Sequence, residues 1–194
     1  MTNKLYTNSP TPELTVWGKT GNETKLAGKF GLSLISQNFT DPSSGKDDEY
    51  VFCRKAPGVT VVPVLPNGDW IITRTFKQGA NAIVWEFPAG RKPKDVSATD
   101  QAKVELTEES GLIAGQMVYL GRTCVAPRKF DTYEDLFVAL NCTLGTPKPG
   151  AGELLEVHQI TAGEFWKLIG SGQFVSGFSE IAAVRAADFL SNNK

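Results

Sequence analysis

A capped helical segment stands in the middle of a chain whose other patterns are mostly strand-like, and this combination restricts the folds available. Ser97 opens the segment with Asp100 three residues further on, a pairing typical of a helix N-terminus, and Gly111 suits the C-terminal cap. Two further helices, over residues 162–170 and 179–190, are predicted at the end of the chain. Mixed strands followed by terminal helices predict an α/β sandwich and argue against the strand–helix alternation of a Rossmann fold.

The predicted strands are short runs rich in β-branched and aromatic residues, separated by turn-forming residues. Pro66-Asn67-Gly68-Asp69 predicts a hairpin within the main domain. A polar, turn-rich segment over residues 40–48 predicts a loop. We therefore predict an N-terminal strand unit over residues 1–48 and a main domain over residues 49–194. The predicted strands cover residues 14–17, 30–36, 50–54, 59–65, 70–76, 83–87, 117–125, 136–144 and 156–160.

The nearly neutral charge of the chain argues against several classes of partner. With 20 basic and 21 acidic residues, the formal net charge of −1 provides no general attraction for nucleic acid or an anionic membrane surface. No stretch approaches the roughly 20 apolar residues of a membrane span, and residues 1–10 lack the apolar run of a signal peptide. The three cysteines form no CxxC pair and are expected to be reduced thiols, which predicts a cytoplasmic protein. The single histidine, His158, gives little support to a zinc site or a Ser-His-Asp triad.

Three glutamates near the end of the capped helix are the most informative feature for function. Glu105, Glu108 and Glu109 stand at positions i, i+3 and i+4, which places their carboxylates on one helical face. Each like-charged pair costs roughly 0.2–0.5 kcal/mol, and each acid in the last turn opposes the helix dipole by about 0.3–1 kcal/mol. Either the carboxylates are fully solvated, or a hard divalent cation binds them together with a substrate phosphate.

The segment around these acids resembles a known catalytic motif, the Nudix box, G-x5-E-x7-R-E-U-x-E-E-x-G-U, in which U is a bulky apolar residue. Residues 90–112 read GRKPKDVSATDQAKVELTEESGL, and seven of the nine fixed positions match. The preceding Glu86-Phe87-Pro88-Ala89-Gly90 is similar to the entry sequence of the ADP-ribose and nucleotide-sugar pyrophosphatase branch, and Pro127 falls at the marker proline of that branch. The matching box residues are Gly90, Glu105, Leu106, Glu108, Glu109, Gly111 and Leu112.

Two positions depart from the box, because Val96 replaces its first glutamate and Val104 replaces its arginine. In the family, that arginine is thought to orient the catalytic loop and helix through acidic partners. The sequence leaves two replacements open. The two valines could pack together, or Asp95 and Lys103 could form a displaced ion pair.

The resemblance implies a Nudix α/β/α sandwich with a mixed sheet that hydrolyses a phosphoanhydride. The product pair would be a nucleoside monophosphate and a sugar phosphate. In this branch a glutamate from a late loop often acts as base, and Glu153 in Gly150-Ala151-Gly152-Glu153 occupies the matching loop, although an ordinary surface glutamate is an equal alternative. The implied ligands of Mg²⁺, or alternatively Mn²⁺, are Glu105, Glu108, Glu109 and the Ala89 carbonyl.

The substrate contacts are less well defined by the sequence. Arg74 and Lys77 resemble the R-Q-(F/Y)-R element of this branch and would contact phosphate, or else lie on a solvent-facing strand. Arg128 follows the marker proline and would contact phosphate or ribose. Trp85 would stack on a base or fill the core. The acids at residues 134–135 either add carboxylates to the site or simply precede a strand.

The resemblance also suggests a homodimer, because the extra N-terminal strands of this branch commonly form a dimerisation sheet and unpaired edge strands need a partner. The expected substrate is ADP-ribose or a nucleoside diphosphate sugar. Two alternatives remain: a non-catalytic Nudix-fold module that binds a nucleotide, and a hydrolase of another nucleotide such as a dinucleoside polyphosphate.

Overall fold

The computed structural model describes residues 15–145, 154–173 and 176–193, and the chain divides into two compact units. The first unit extends to Arg54 and includes Arg128–Phe130, whereas the second comprises Lys55–Pro127 and the chain from Asp131 onward. The predicted boundary between residues 48 and 49 falls inside the strand Asp47–Lys55.

The elements of the described residues are, in chain order, β1 (Gly18–Lys29), β2 (Leu32–Thr40), β3 (Asp47–Lys55), β4 (Gly58–Pro63), β5 (Trp70–Lys77), β6 (Ala82–Glu86), β7 (Ala89–Arg91), α1 (Ala98–Ser110), β8 (Leu112–Ile113), β9 (Gln116–Thr123), β10 (Phe130–Asp131), β11 (Glu134–Leu140), β12 (Thr143–Leu144), β13 (Leu155–Ile160), α2 (Ala162–Gly170) and α3 (Gly177–Asn192).

The first unit is built on a sheet with the strand order β1-β2-β3-β10. β1 and β2 pair antiparallel around a turn at Phe30 and Gly31, both of which have positive φ angles. The predicted strand over residues 30–36 overlaps β2, which begins at Leu32, whereas residues 15–17 precede β1, which begins at Gly18, and residue 14 lies outside the described residues. The sequence of β1, GKTGNETKLAGK, has few apolar residues, so its pairing with β2 defines it better than its own pattern does.

The second unit contains a mixed sheet in the order β7-β4-β11-β9 and an antiparallel sheet in the order β13-β5-β6. β4 and β11 run parallel, whereas β9 pairs antiparallel with β11 and β7 pairs antiparallel with β4. Val64 and Trp70 form an isolated bridge on either side of the predicted turn at residues 66–69, which joins β4 to β5.

Alternating side chains of β4 divide the interior of the second unit into two cores. Val59 and Val61 pack with Leu106 of α1, whereas Val62 and Val64 pack in a second cluster with Phe165 of α2 and alanines of α3. Burial of a large apolar side chain such as Leu106 contributes about 1.5–3 kcal/mol. Helices therefore cover both sides of the sheets, and the predicted α/β/α sandwich is confirmed.

The helix caps were predicted with mixed success. Ser97 accepts a hydrogen bond from the Asp100 amide at 3.0 Å, and Gly111 ends α1 in the left-handed region at φ 69°. Thr161 forms a capping box with Glu164 at the start of α2, which begins at Ala162 as predicted. The last helix was predicted over residues 179–190, and α3 contains this range but begins two residues earlier, at Gly177.

None of the helices in the described ranges combines the length and the apolar character that a membrane span requires.

Candidate active site

The segment before α1 is fixed to the sheet by contacts from three elements. The Phe87 amide donates a hydrogen bond to Ser179 Oγ of α3 at 3.0 Å, and the Phe87 ring stacks on Phe165 of α2. The Pro88 carbonyl accepts from the Val61 amide at 2.9 Å. The following residues, Ala89–Arg91, then pair with β4 as β7. Ala89 and Gly90, the first two residues of β7, therefore have a well-defined position. Because they lead from β6 toward α1, we call this pair the entry turn.

Two of the three predicted helix acids contact the entry turn. The Ala89 amide donates a hydrogen bond to Glu109 Oε2 at 3.0 Å. The Glu105 carboxylate lies directly against Gly90. A Cβ added to residue 90 would come much closer than 3.0 Å to the carboxylate atoms, and real Cβ atoms essentially never make contacts that short. Gln101 Nε2 also donates to Glu105 Oε1 at 2.7 Å. Glu108 is half-buried in the same turn of α1.

Two further carboxylates lie near the entry turn: Glu86, to which the sequence assigned no role in the site, and Glu134, for which it left that role open. Glu86 is buried at the end of β6 and forms an ion pair with Lys77 of β5. Glu134 is 6% exposed, and its Oε2 accepts a hydrogen bond from Thr60 Oγ1 at 2.6 Å. A Cβ at Gly58 would lie 3.0 Å from both Glu134 Oε1 and the Gly90 carbonyl oxygen, which places Glu134 beside the entry turn.

These acids, Glu86, Glu105, Glu109 and Glu134, are called the carboxylate cluster below. Burial raises the pKa of Glu109 from 4.5 to about 8; the Ala89 amide opposes this rise, Glu86 and Glu105 reinforce it, and Lys77 lowers it. Burial also raises the pKa of Glu134, while the Thr60 hydroxyl and then Lys55 act in the opposite direction. Burial therefore favours the protonated form of both Glu109 and Glu134 in the metal-free protein.

The donor set of the cluster suits a hard divalent cation, since it combines carboxylate oxygens with the backbone carbonyls of the entry turn. In the described residues, no three His, Cys, Asp or Glu side chains are already positioned to hold a metal ion. The acids are instead held by protein partners, which are the Ala89 amide for Glu109, Gln101 for Glu105 and Lys77 for Glu86. The residues present fit magnesium in their chemistry, and the ion would have to replace some of these contacts.

The predicted substrate residues are divided between two faces of the β13-β5-β6 sheet. Lys77 lies on the face of the carboxylate cluster, where it pairs with Glu86. Arg74 stands opposite Trp85 in the strand register on the other face, with its guanidinium carbon 5.5 Å from the centre of the Trp85 ring. Trp85 also meets His158 edge-on at 4.8 Å between ring centres. The structure does not bring Arg74 or Trp85 to the carboxylates.

An open groove of about 560 Å³ also lies on the Arg74 face, and not at the carboxylate cluster. Phe76 and Ile83 form its apolar lining and are each about half exposed. Arg74 and Glu156 form a 3.4 Å ion pair along it. We assign the chemistry to the carboxylate cluster because this groove lacks its donor set.

Two other predicted residues remain untested. Arg128 belongs to the first unit, so its proposed contact with phosphate or ribose stays a prediction. Glu153 lies outside the described residues.

Asp95 and Lys103 do not form the displaced ion pair that the sequence left open as a replacement for the arginine and glutamate of the box. Lys103 pairs with Asp100 at 3.7 Å and not with Asp95. Val104 is 42% exposed. The loop before α1 is instead tied by Lys92, whose amide donates to the Pro57 carbonyl at 2.8 Å and whose ammonium donates to the Val96 carbonyl at 3.1 Å. Lys92 therefore takes part in holding this loop.

Asp135 has a structural role within the sheet. Arg122 donates to both of its carboxylate oxygens at 2.9 and 3.1 Å, and the Tyr119 hydroxyl donates at 2.9 Å. Burial acts to raise the pKa of Asp135, but the hydrogen bonds from Arg122 and Tyr119 outweigh it and lower the pKa. These bonds join β9 to β11 at the strand that also carries Glu134.

The fold is that of the Nudix class, an α/β/α sandwich with a mixed sheet and a small N-terminal strand unit. A crystal structure of an ADP compounds hydrolase matches the chain with a TM-score of 0.81 and 19% sequence identity, covering 94% of this chain and 98% of that one. At this identity the similarity shows a common fold. No protein-family model matches the sequence, and no curated protein sequence matches it.

Proposed function

We propose that this chain is a magnesium-dependent Nudix hydrolase that cleaves the diphosphate linkage of ADP-ribose or a nucleoside diphosphate sugar. The observation that carries the proposal is the meeting of α1 with the entry turn, where Glu109 accepts from the Ala89 amide and Glu105 lies against Gly90. This arrangement brings carboxylates from a helix end against the backbone of the entry turn. It supports the metal-binding role that the sequence motif implies.

Magnesium or manganese would be held by Glu105, Glu108, Glu109 and the Ala89 carbonyl. When bound, the metal neutralises the diphosphate and lowers the pKa of a water molecule. Gly90 leaves the space in which the Glu105 carboxylate lies, and Ser179 fixes the backbone from which the entry turn starts. Glu153 is proposed to accept the proton of the attacking water.

A non-catalytic nucleotide-binding module is the second candidate. The exposed Val104, in place of the arginine of the box, favours this reading because the loop and helix lack that ionic support. Retention of Glu105, Glu108 and Glu109 argues against it. Calorimetry that detects tight binding of a nucleotide sugar, with no product formed in the presence of Mg²⁺, would support the module.

The proposed activity is tested with a panel of substrates assayed with Mg²⁺, with Mn²⁺ and with EDTA. The panel should contain ADP-ribose, several nucleoside diphosphate sugars and a dinucleoside polyphosphate. We expect metal-dependent release of a nucleoside monophosphate from at least one diphosphate-linked sugar. Preferential cleavage of the dinucleoside polyphosphate would support the proposed reaction but contradict the proposed substrate class. A homodimer and a cytoplasmic location remain predictions.

A further inference from the structure

Lys77, for which the sequence predicts either a phosphate contact or a place on a solvent-facing strand, pairs with a buried acid in the structure. In the β5–β6 register Thr73 lies opposite Glu86, and the alternation of β5 places Thr73, Thr75 and Lys77 on the same face. The Lys77 ammonium consequently reaches the face of the carboxylate cluster and pairs with Glu86.

The ion pair lies where the chain leads into the entry turn. Glu86 is the last residue of β6, and only Phe87 and Pro88 separate it from Ala89, whose amide donates to Glu109 Oε2 at 3.0 Å. Lys77 therefore pairs with an acid that lies next in the chain to the implied metal ligands.

The two partners of the ion pair differ in their exposure. The Glu86 side chain is only 9% exposed, whereas the Lys77 side chain is 43% exposed. A flexible lysine at the protein surface regains its hydration when it leaves, but the buried carboxylate cannot leave with it. Any cation that arrives at the cluster therefore competes with Lys77 for the same negative charge, and Lys77 is the partner that is easier to displace.

We infer that Lys77 is an internal counter-ion of the carboxylate cluster, which divalent cation binding displaces from Glu86 and thereby frees for the diphosphate of the substrate. This inference rests on the proposed function, since it requires a divalent cation at the cluster. It adds that Lys77 weakens metal binding in the free protein. A lysine that contacted only substrate would leave metal affinity unchanged.

The inference is tested by measuring Mn²⁺ affinity, without substrate, by electron paramagnetic resonance. Lys77→Met should bind Mn²⁺ at least tenfold more tightly than wild type, because the ion no longer has to displace an ammonium group. Lys77→Arg keeps the charge and should remain within threefold of wild type. Lys103→Met is the matched control, since it removes the same charge from an exposed residue that pairs with Asp100. It should leave the affinity within twofold of wild type.

Equal Mn²⁺ affinities of wild type and Lys77→Met would overturn the inference. Because the Lys77 side chain is partly exposed, we expect the variant to fold, and Lys77→Gln provides a second neutral variant for the same comparison.

The two proposals fail in different ways. Equal affinities with normal hydrolysis contradict only the role of Lys77. The expected affinity change without hydrolysis of any nucleotide substrate contradicts only the proposed function. A wild-type protein that binds no Mn²⁺ contradicts both.

Discussion

The carboxylate of Glu105 occupies the space beside Gly90 that any side chain at position 90 would need. The helix that carries Glu105 is fixed by its Ser97 and Gly111 caps, and the strand that carries Gly90 is fixed by pairing with β4. Because neither backbone can easily move, the absence of a Cβ at residue 90 allows this approach. The glycine of the motif therefore has a steric reason here and does not depend on an unusual φ angle.

Gly90→Ala should displace the Glu105 carboxylate and lower turnover at least a hundredfold. We expect a smaller loss of stability, of about 1 kcal/mol or less, because the atoms that must shift are the far end of a flexible side chain. Thermal unfolding and steady-state hydrolysis measure the two effects. Gly79→Ala is the control, since a Cβ there meets no atom within 4 Å, and it should leave turnover unchanged.

A second substitution separates the steric effect from other causes. In the presence of Glu105→Ala, Gly90→Ala should lower turnover little further, because the carboxylate that it displaces is already absent. If Gly90→Ala lowers turnover as much in the Glu105→Ala background as in wild type, displacement of Glu105 is not the cause of the loss.

Glu109→Gln should stabilise the metal-free protein at alkaline pH. The pKa of Glu109 is raised from 4.5 to about 8 in the folded protein, so the folded state binds its proton more tightly than the unfolded state does. The stability that depends on protonated Glu109 is fully present below about pH 4.5 and is lost as the pH rises through about 8. Each pKa unit corresponds to about 1.4 kcal/mol, which gives an expected gain on the order of 2–4 kcal/mol for the variant at pH 9.

Urea unfolding in EDTA at pH 5, 7 and 9 measures this gain. The difference between Glu109→Gln and wild type should be small at pH 5 and should grow toward pH 9. A difference that is the same at all three values would show that Glu109 does not titrate in this range.

Ser179→Ala should destabilise the protein by about 1–3 kcal/mol, because the buried Phe87 amide loses its acceptor. Turnover should also fall, since Phe87 leads directly into the entry turn. Ser191→Ala removes an exposed hydroxyl from the same helix and should change neither property. Equal unfolding midpoints for the two variants would show that the Ser179 contact contributes little.

Asp135→Asn should lower the free energy of unfolding by about 2 kcal/mol at neutral pH. Breaking a fully buried ion pair costs about 3–5 kcal/mol, and we expect less here because the Arg122 side chain is 55% exposed. The pKa of Asp135 is lowered, so its contribution is present above the ordinary value of 3.8 and is lost as the pH falls below it. Acid unfolding curves should therefore show the difference between variant and wild type shrinking below pH 3.8. A difference that persists at pH 2 would contradict the ionic origin of the stabilisation.

The elements with strong local signals could be predicted from the sequence. Ser97 and Gly111 defined α1 because both caps act through neighbouring backbone groups. The start of α3 was predicted two residues late because the Ser179 hydroxyl, which suits an N-cap, instead accepts from Phe87, a residue distant in sequence. β1 was missed for a similar reason, since its partner β2 defines it.

The residues of the candidate site also separate into those with a local sequence signal and those defined by distant partners. The spacing of Glu105 and Glu109 predicts a shared helical face, and both contact the entry turn. Glu134 depends on Thr60, and Lys77 depends on Glu86, and these contacts exist only once the sheets have assembled. Sequence alone left Glu134 ambiguous and assigned no role in the site to Glu86. Charged residues inside otherwise apolar strands were the available signal.

The most direct test of the central claim is the rate at which Glu109→Gln releases nucleoside monophosphate from the best diphosphate-linked substrate at saturating Mg²⁺. We expect the rate to fall at least a hundredfold, a loss of about 2.7 kcal/mol of transition-state stabilisation. Asp95→Asn, which removes an exposed acid from the loop before α1, should retain the wild-type rate. A Glu109→Gln rate equal to that of wild type would contradict the assignment of the carboxylate cluster as the catalytic site.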